Sequence, residues 1–131
     1  MPIVPVKELV ERANKQVTTL SAAEAGALAT GGQAMLVDIR DIRELDREGR
    51  VDGAFHAPRG MLEFWFDPQS PYHKDVFADE SRTFVLFCAA GWRSALAAKT
   101  LEDMGFTNIA HVDGGFGALK QSGIAITVRE K

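Results

Sequence analysis

The sequence has almost no cysteine and no long hydrophobic run. Its 131 residues contain a single cysteine, Cys88, so no disulfide can form within the chain. Such a composition is typical of a reducing compartment, and we expect a cytoplasmic protein. No apolar stretch approaches the roughly 20 residues that span a bilayer, and the N-terminal segment lacks the charged-then-apolar pattern of a secretion signal. We therefore expect a soluble protein with no membrane partner.

Positive charge is not in excess either. The chain has 15 lysines and arginines against 18 aspartates and glutamates, a formal net charge of −3 at pH 7. Nucleic-acid-binding domains carry a basic patch, so this balance predicts no nucleic-acid partner. His73 and His111 lie far apart in the chain and show no metal-ligand spacing, so we expect no metal site.

What is present has the proportions of one globular domain. Hydrophobic residues make up 46% of the chain and charged residues 25%, and the length leaves room for one hydrophobic core. We predict a single domain over residues 1–131. Within it, residues 1–17 are expected to form a helical extension and residues 18–127 the core.

Apolar strands alternate with helices along the chain. Helices are predicted at residues 5–16, from Ser21 to the glycines at 31 and 32, at 41–48, 61–66 and 94–104, and after Asp113; strands are predicted at 34–39, 51–57, 83–87 and 109–112. Ser21 and Glu24 have capping-box spacing, and Gly105 with Phe106 indicates a Schellman ending. This alternation predicts an α/β fold with a parallel sheet covered on both faces. Ligands of such folds bind beyond the carboxyl ends of the strands.

Cys88 stands at such a carboxyl end. It follows the apolar segment TFVLF and opens the stretch CAAGWRS, residues 88–94. By itself, a lone cysteine after an apolar strand is more often a small core residue. Here the three small residues that follow allow backbone N–H groups to turn toward a common point at a helix N-terminus. Together with Arg93, this environment stabilises a thiolate, so the pattern favours a nucleophile in an anion cradle.

The loop resembles a known family motif. Cys88, Gly91, Arg93 and Ser94 stand in the register of the active-site loop of single-domain rhodaneses, commonly written C-x-x-G-x-R-S. Three further stretches resemble the family in the same order along the chain: DIR at 38–40 with Glu44, GRVDGA at 49–54, and HVDGGFGALKQSGIAI at 111–126. The chain departs from the usual pattern at Arg50 and Asp52, in place of histidine and proline, and at Leu119, where tryptophan is common.

The resemblance to rhodaneses implies both a fold and an activity. The fold is a central five-stranded, mostly parallel sheet flanked by helices on both faces. The activity is sulfur transfer, in which Cys88 takes a sulfane sulfur from a small donor such as thiosulfate or a persulfide. The sulfur then passes to a thiol, to cyanide or to an acceptor protein. Because the cysteine itself carries the sulfur, no metal and no organic cofactor are implied.

The resemblance implies that Cys88 is the catalytic residue, that the substrate-binding loop is Ala89, Ala90, Gly91, Trp92, Arg93 and Ser94, and that Asp38, Arg40 and Glu44 are supporting residues. His56 and Arg59 are added as supporting residues because of their place at the end of the predicted strand at 51–57. The first three supporting residues are expected to form a structural polar network. His56 and Arg59 are expected to be exposed or to cap an element rather than to reach the cysteine.

The sequence allows two interpretations for Arg93 and two for Trp92. Arg93 either steers anions toward the cysteine or pairs with Asp38 at the neighbouring strand end, and both can hold. Trp92 is expected to project beside the mouth of the loop. There it either contacts a partner or, as we expect, packs on the aromatic segment 64–66.

Two other kinds of function compete with sulfur transfer: phosphatase or arsenate reductase chemistry, and partner binding without catalysis. Phosphatases and arsenate reductases on related folds resemble C-x-x-x-x-x-R, whereas here four residues separate Cys88 from Arg93, so the loop is shorter and suits one sulfur atom better. A non-enzymatic rhodanese-like module that binds a partner remains the main alternative. The intact cysteine loop favours the enzyme.

The donor is less defined than the family. Many thiosulfate-using relatives carry a basic residue just after the cysteine, where this chain has Ala89 and Ala90. Thiosulfate is a dianion, so the missing cation should weaken its capture. A persulfide, polysulfide or protein-borne donor is therefore as plausible as thiosulfate.

Overall fold

The structure is a computed structural model that describes residues 2–129. The predicted domain bounds include Met1, Glu130 and Lys131, which lie outside the described residues. The helices are α1 (Val6–Gln16), α2 (Ala22–Thr30), α3 (Ile42–Glu48), α4 (Leu62–Phe66), α5 (Trp92–Asp103) and α6 (Gly115–Gln121). The strands are β1 (Thr18–Leu20), β2 (Ala34–Asp38), β3 (Arg50–Val51), β4 (Phe55–His56), β5 (Thr83–Phe87), β6 (Ile109–Val112) and β7 (Ile126–Thr127).

Five strands form one sheet in the order β1-β6-β5-β2-β4, and all of its pairings are parallel. Strand β5 lies at the centre, between β2 and β6, and Phe84 to Phe87 are buried. A strand covered on both faces carries apolar residues without alternation, which is the pattern of TFVLF. The α/β class with a five-stranded parallel sheet is confirmed, and so is the central position of β5.

A hydrophobic cluster lies on each face of the sheet. On one face, Phe66 of α4 and Leu101 of α5 pack with Phe84. On the other, Phe87 packs with Phe116 and Leu119 of α6. The alternate residues of β5 thus point into two cores, and helices cover both faces as the sequence indicates.

The predicted strand at 51–57 is wrong. Residues Arg50–Val51 form β3, which pairs antiparallel with β7, whereas Phe55–His56 form β4, which pairs parallel with β2. Gly53 lies between them with a φ of 81°, a left-handed conformation that a continuous strand does not contain. The chain therefore turns between two different sheets. The sequence also does not predict β1 or β7, because two or three residues are too few to show alternation.

The helix ends follow the predicted local signals. The Ser21 side chain accepts a hydrogen bond from the Glu24 N–H, and the Glu24 carboxylate accepts one from the Ser21 N–H, which confirms the capping box. At the end of α5, the Phe106 N–H donates to the Leu101 carbonyl, as in a Schellman ending. A second capping box joins Asp41 and Glu44 at the start of α3, and it fixes the position of Glu44.

Helix α1 docks on α5. Val10 and Ala13 are buried against Ala95, and the Gln16 side chain donates to the Asp103 carboxylate with an Nε2 to Oδ1 distance of 3.0 Å. Half of the apolar face predicted for residues 5–16, Val10 and Ala13, is thus covered by the helix that begins at the cysteine loop, whereas Val6 and Leu9 are exposed. Helix α1 therefore stands beside the candidate site.

Candidate active site

Cys88 follows the last residue of β5 at the carboxyl edge of the sheet, and it is 1% exposed. The chain then turns through Ala89 and Ala90 to Gly91, whose φ of 116° is left-handed and precedes the first residue of α5. The Gly91 N–H donates to the Cys88 sulfur with an N to Sγ distance of 3.1 Å. The small residues therefore do bring backbone donors around the sulfur, because nothing larger than a methyl group stands in the turn.

Two opposing effects act on the pKa of Cys88. Burial of the thiol raises the pKa, because it disfavours the charged form. Hydrogen bonds from the Ser94 hydroxyl and from the N–H groups of Ser94, Gly91 and Ala90 lower it. The hydrogen bonds prevail, so the pKa of Cys88 lies below its ordinary value and the thiolate forms more readily than that of an unperturbed cysteine.

Ser94 connects the cysteine to a buried histidine. Its Oγ lies 3.6 Å from the Cys88 Sγ and 2.9 Å from Nδ1 of His111 on β6. The other ring nitrogen, Nε2, lies 2.8 Å from Oδ1 of Asn14 on α1 and 3.2 Å from Oγ1 of Thr19. A chain of hydrogen bonds thus runs from the sulfur through α5 and β6 to α1. Burial lowers the pKa of His111, so the ring is neutral at pH 7, although Asp113 acts in the opposite direction.

The start of α6 packs directly against the cysteine loop. The Phe116 N–H donates to the Cys88 carbonyl at an N to O distance of 2.7 Å. Gly115 has a φ of 56°, and a Cβ placed there would lie 2.4 Å from the same carbonyl oxygen. Only a residue without a side chain permits this approach, which gives the second glycine of the HVDGG stretch a physical reason.

Arg93 pairs with Glu44 and not with Asp38. Its guanidinium donates two hydrogen bonds to the Glu44 carboxylate, at 2.7 and 3.0 Å. This pairing holds the pKa of Glu44 below its usual value and raises that of Arg93, with a smaller contribution from the Cys88 thiolate. The predicted pair with Asp38 is wrong because the α3 capping box brings Glu44 within reach of the guanidinium.

Asp38 has a different partner. It forms a buried ion pair with Arg40, with an Nη2 to Oδ2 distance of 2.8 Å, and Arg40 also donates to the Gly49 carbonyl at 2.9 Å. The Arg40 guanidinium lies 4.0 Å from the centre of the Phe116 ring. The predicted polar network therefore exists as two separate pairs, Asp38 with Arg40 and Glu44 with Arg93. The Asp38–Arg40 pair joins the end of β2 to the end of α3, because Arg40 also bonds to the Gly49 carbonyl.

The remaining supporting residues also have structural contacts. His56 is half-buried, and its Nε2 lies 2.7 Å from the Arg40 carbonyl oxygen. Arg59 pairs with Glu63 one turn further along the chain, with an Nη1 to Oε1 distance of 2.6 Å. Both residues are expected from the sequence to be exposed or to cap an element; both are instead half-buried, and these contacts involve Arg40 and Glu63 rather than the cysteine.

Trp92 projects from the loop, as the sequence indicates, and 52% of it is exposed. The expectation that it packs on residues 64–66 is wrong, since the ring pairs of Trp65 and Phe66 are made with Phe55, Phe77, Phe84 and Phe106. Trp92 instead borders a cleft of about 320 Å³ with Asn14, Thr19, Ala90, His111 and Asp113. Its direction follows from α1, which forms the opposite wall of this cleft.

The candidate active site is not the cavity with the greatest volume. Four other cavities, of about 330 to 510 Å³, exceed the cleft beside the loop, but none of them is lined by the residues at 88–94. These cavities contain neither the cysteine nor the N–H groups that surround its sulfur. Within residues 2–129, no group of three or more His, Cys, Asp and Glu side chains is arranged to hold a metal ion. No helix in the same range is long and apolar enough to cross a membrane.

Sequence reasoning does not identify His111 or Asn14 as parts of the site. Asn14 lies 97 residues from His111, and both are remote in the chain from the cysteine loop. No local spacing connects them, because they meet only when β6 lies beside β5 and α1 packs on α5.

The fold and the cysteine loop define a rhodanese-type domain. A family model described as the rhodanese-like domain matches residues 21–122. The chain belongs to the rhodanese-like domain family.

Similar proteins are found in several bacteria. A structure from Rhodopseudomonas palustris CGA009, described as a protein of unknown function and possible tyrosine phosphatase, has a TM-score of 0.88 and 48% identity, over 97% of this chain and 99% of that one. The polysulfide-sulfur transferase homodimer of Wolinella succinogenes has a TM-score of 0.72 and 30% identity, over 95% of this chain and 88% of that one. The thiosulfate sulfurtransferase GlpE of Shewanella oneidensis is 34% identical over 83 residues, which are 63% of this chain and 72% of that protein. The chain spans only 20% to 48% of the length of other curated relatives that it matches.

Proposed function

We propose that this protein is a sulfurtransferase in which Cys88 carries the transferred sulfur as a persulfide. The observation that carries the proposal is the geometry of the loop: a buried thiol at the start of a helix accepts a hydrogen bond from the Gly91 N–H, with an N to Sγ distance of 3.1 Å. A thiolate is the nucleophile needed to attack a sulfane sulfur, and the same donors would hold the charge of the persulfide. The named sulfurtransferases among its relatives support this assignment.

The proposed cycle has two displacements at sulfur. The Cys88 thiolate attacks the outer sulfur of a donor, an S–S bond to Cys88 forms, and the S–S bond of the donor breaks. The leaving group is sulfite from thiosulfate, or a thiolate from a persulfide. An acceptor thiolate or cyanide then attacks the outer sulfur on Cys88 and restores the Cys88 thiolate. No metal or organic cofactor takes part, and the acceptor is a small thiol, cyanide or a protein thiol.

Among donors, a persulfide of low charge fits the loop better than thiosulfate. The one cation of the loop, Arg93, is engaged by both oxygens of Glu44, and the two residues after the cysteine are alanines. Asp113 adds a carboxylate to the rim of the cleft. A dianion approaching this rim gains little electrostatic attraction, whereas a persulfide depends mainly on the thiolate and the backbone donors.

Phosphatase chemistry is less well supported, although one similar structure carries that description. A phosphatase loop must surround three phosphate oxygens and offer a guanidinium to them. Here the loop places four residues between Cys88 and Arg93, and the guanidinium is directed to Glu44. Hydrolysis of a chromogenic phosphate ester by the wild type would contradict this argument.

Intact-mass measurement tests the proposed function directly. Wild type and Cys88→Ser are incubated separately with glutathione persulfide and with thiosulfate. We expect the wild type to gain the mass of one sulfur atom, to lose it on addition of cyanide, and to load faster from the persulfide. Cys88→Ser should fold normally and gain nothing, because a serine hydroxyl is too weakly acidic to ionise in the loop. Absence of sulfur uptake from every donor would favour a non-enzymatic binding module.

A further inference from the structure

The hydrogen-bonded chain from Cys88 to Asn14 has a direction. Nε2 of His111 faces a carbonyl oxygen, Oδ1 of Asn14, at 2.8 Å, and a carbonyl oxygen can only accept. This contact favours the neutral tautomer that carries its proton on Nε2. That leaves Nδ1 as an acceptor for the Ser94 hydroxyl, which lies 2.9 Å from it and 3.3 Å from a second acceptor, the Gly91 carbonyl oxygen. Ser94 in turn lies 3.6 Å from the Cys88 sulfur, so each group from the thiol to Asn14 can donate to the next.

We propose that His111 is a proton acceptor for the Cys88 thiol, acting through Ser94, with its ring held in the accepting tautomer by Asn14. This inference rests on the proposed sulfurtransferase function, since it describes how the attacking thiolate forms. His111 does not touch the sulfur and is a positioning residue. Ser94 is the bridge between two groups that are both buried.

The step balances without any further reactant. The S–H bond of Cys88 breaks as its proton passes to Ser94 Oγ, while the Ser94 proton passes to Nδ1 of His111. The result is a thiolate and an imidazolium, with every hydrogen bond between them reversed: Nδ1–H donates to Ser94 Oγ, and the Ser94 O–H donates to the sulfur. When the donor persulfide is cleaved, its thiolate leaving group takes a proton from the solvent, and the imidazolium of His111 returns its proton to the solvent.

The surroundings of His111 allow it to accept a proton. From α5 it is faced by the Ser94 hydroxyl, from α1 by Asn14, from β1 by Thr19, and from β5 by Leu86 in the paired register. None of these four side chains carries a charge. The charged group that acts on the ring is Asp113, which favours the imidazolium and opposes the effect of burial. Arg93 is engaged by Glu44. In the relay, the imidazolium would also face the new thiolate across Ser94.

The pH dependence of Cys88 alkylation tests the relay. Iodoacetamide rates are measured from pH 4 to 10 for the wild type, Ser94→Ala and His111→Gln. Glutamine can still accept a hydrogen bond from Ser94 but cannot take a proton. We expect both variants to move the thiolate titration upward by about one pH unit, about tenfold less thiolate at neutral pH. Thr100→Val is the matched control, because it removes a hydroxyl from α5 that bonds only to the Leu96 carbonyl among the described residues, and it should leave the profile in place.

A second variant covers the case in which replacement of the buried His111 prevents folding. Asn14 is exposed, and Asn14→Asp places a carboxylate on Nε2, which should make the ring a stronger base and move the thiolate titration to lower pH. In the double variant with His111→Gln, the carboxylate can act only by repelling the thiolate, so the shift should disappear or reverse. A purely structural role for His111 does not produce this change of sign.

The outcomes separate the relay from the proposed function. A profile unchanged by both His111→Gln and Asn14→Asp overturns the relay, even if the protein still loads sulfur in the mass experiment. Shifts in the expected directions support the relay, even if no donor loads sulfur and the sulfurtransferase assignment fails. A shift in Ser94→Ala alone overturns the role of His111 and leaves Ser94 as a simple hydrogen-bond donor to the sulfur.

Discussion

Arg93 and Glu44 form a two-point ion pair beside the cysteine loop, with N to O distances of 2.7 and 3.0 Å. Glu44 also caps α3 through the Asp41 N–H, so the carboxylate is held from two sides. The guanidinium is therefore both fixed and neutralised. This arrangement makes the loop less attractive to anions than the presence of an arginine suggests.

Release of Arg93 should improve the use of thiosulfate. Glu44→Gln keeps an oxygen for the α3 cap but removes the opposing charge. A free unit charge about 4 Å from an anion contributes about 1 kcal/mol in water-like surroundings, or roughly fivefold in rate. We expect the ratio of thiosulfate loading to persulfide loading to rise by about that factor, measured by intact mass against time.

The control for this variant removes the same charge elsewhere. Glu11 is exposed on α1, and Glu11→Gln should leave the ratio of the two loading rates unchanged. An equal ratio in the wild type and Glu44→Gln would show that the ion pair does not limit capture of the dianion.

A new cation beside the cysteine should act in the same direction. Ala89→Arg places a guanidinium one residue after Cys88, and we expect thiosulfate loading to increase by roughly fivefold or more. Ala89→Met supplies a long side chain without the charge and serves as the matched control. The increase should fade in high salt, because screening weakens it. Equal gains from arginine and methionine would assign the effect to packing instead.

Gly115 should be indispensable to the geometry of the loop. Gly115→Ala places a Cβ at 2.4 Å from the Cys88 carbonyl oxygen and also forces alanine into a left-handed conformation. Gly123 also has a left-handed φ, of 90°, but a Cβ placed there would meet no atom within 4 Å. The loss of stability in Gly123→Ala therefore measures the cost of the left-handed backbone by itself, about 1–2 kcal/mol. We expect Gly115→Ala to lose more stability than this in urea unfolding, and also to raise the pKa of Cys88.

Of these two variants, only Gly115→Ala should change the pKa of Cys88. Alkylation profiles of Gly123→Ala are therefore expected to overlay those of the wild type. Full sulfur loading by Gly115→Ala, with a stability equal to that of Gly123→Ala, would mean that the loop can shift without consequence.

Burial of neutral His111 should make folding stability depend on pH. Its pKa in the folded state lies below the ordinary 6.5, so the unfolded chain takes up a proton first as the pH falls. The free energy of unfolding should therefore be level above pH 6.5 with respect to this group, and decline below it until the folded ring also protonates. Urea unfolding between pH 5 and 8 measures this slope.

The matching variant is His111→Gln, in which the decline below pH 6.5 should be smaller. All other groups are the same in the two proteins, so the difference between the two slopes reports His111 alone. The opposite result, greater stability of the wild type at pH 5.5 than at 7.5, would require a charged His111 in the folded protein.

Short-range signals in the sequence determine the elements that carry the site. The apolar run at 83–87 predicts the central strand, and Ser21 with Glu24 predicts the cap of α2, because each signal acts within a few residues. The same holds for the cysteine loop, whose small residues and helix start are neighbours in the chain. These parts of the fold and the candidate position of Cys88 could therefore be predicted without a structure.

Only the tertiary structure decides which distant side chains meet. Glu44 reaches Arg93 across 49 residues, and Asn14 reaches His111 across 97, through the order of the strands and the docking of α1. Asp38 and Glu44 are both carboxylates that could accept from Arg93, and the choice between them depends on where the α3 cap places each one. Pattern and spacing carry no information about such contacts, because they arise from the packing of whole elements rather than from the neighbours of each residue.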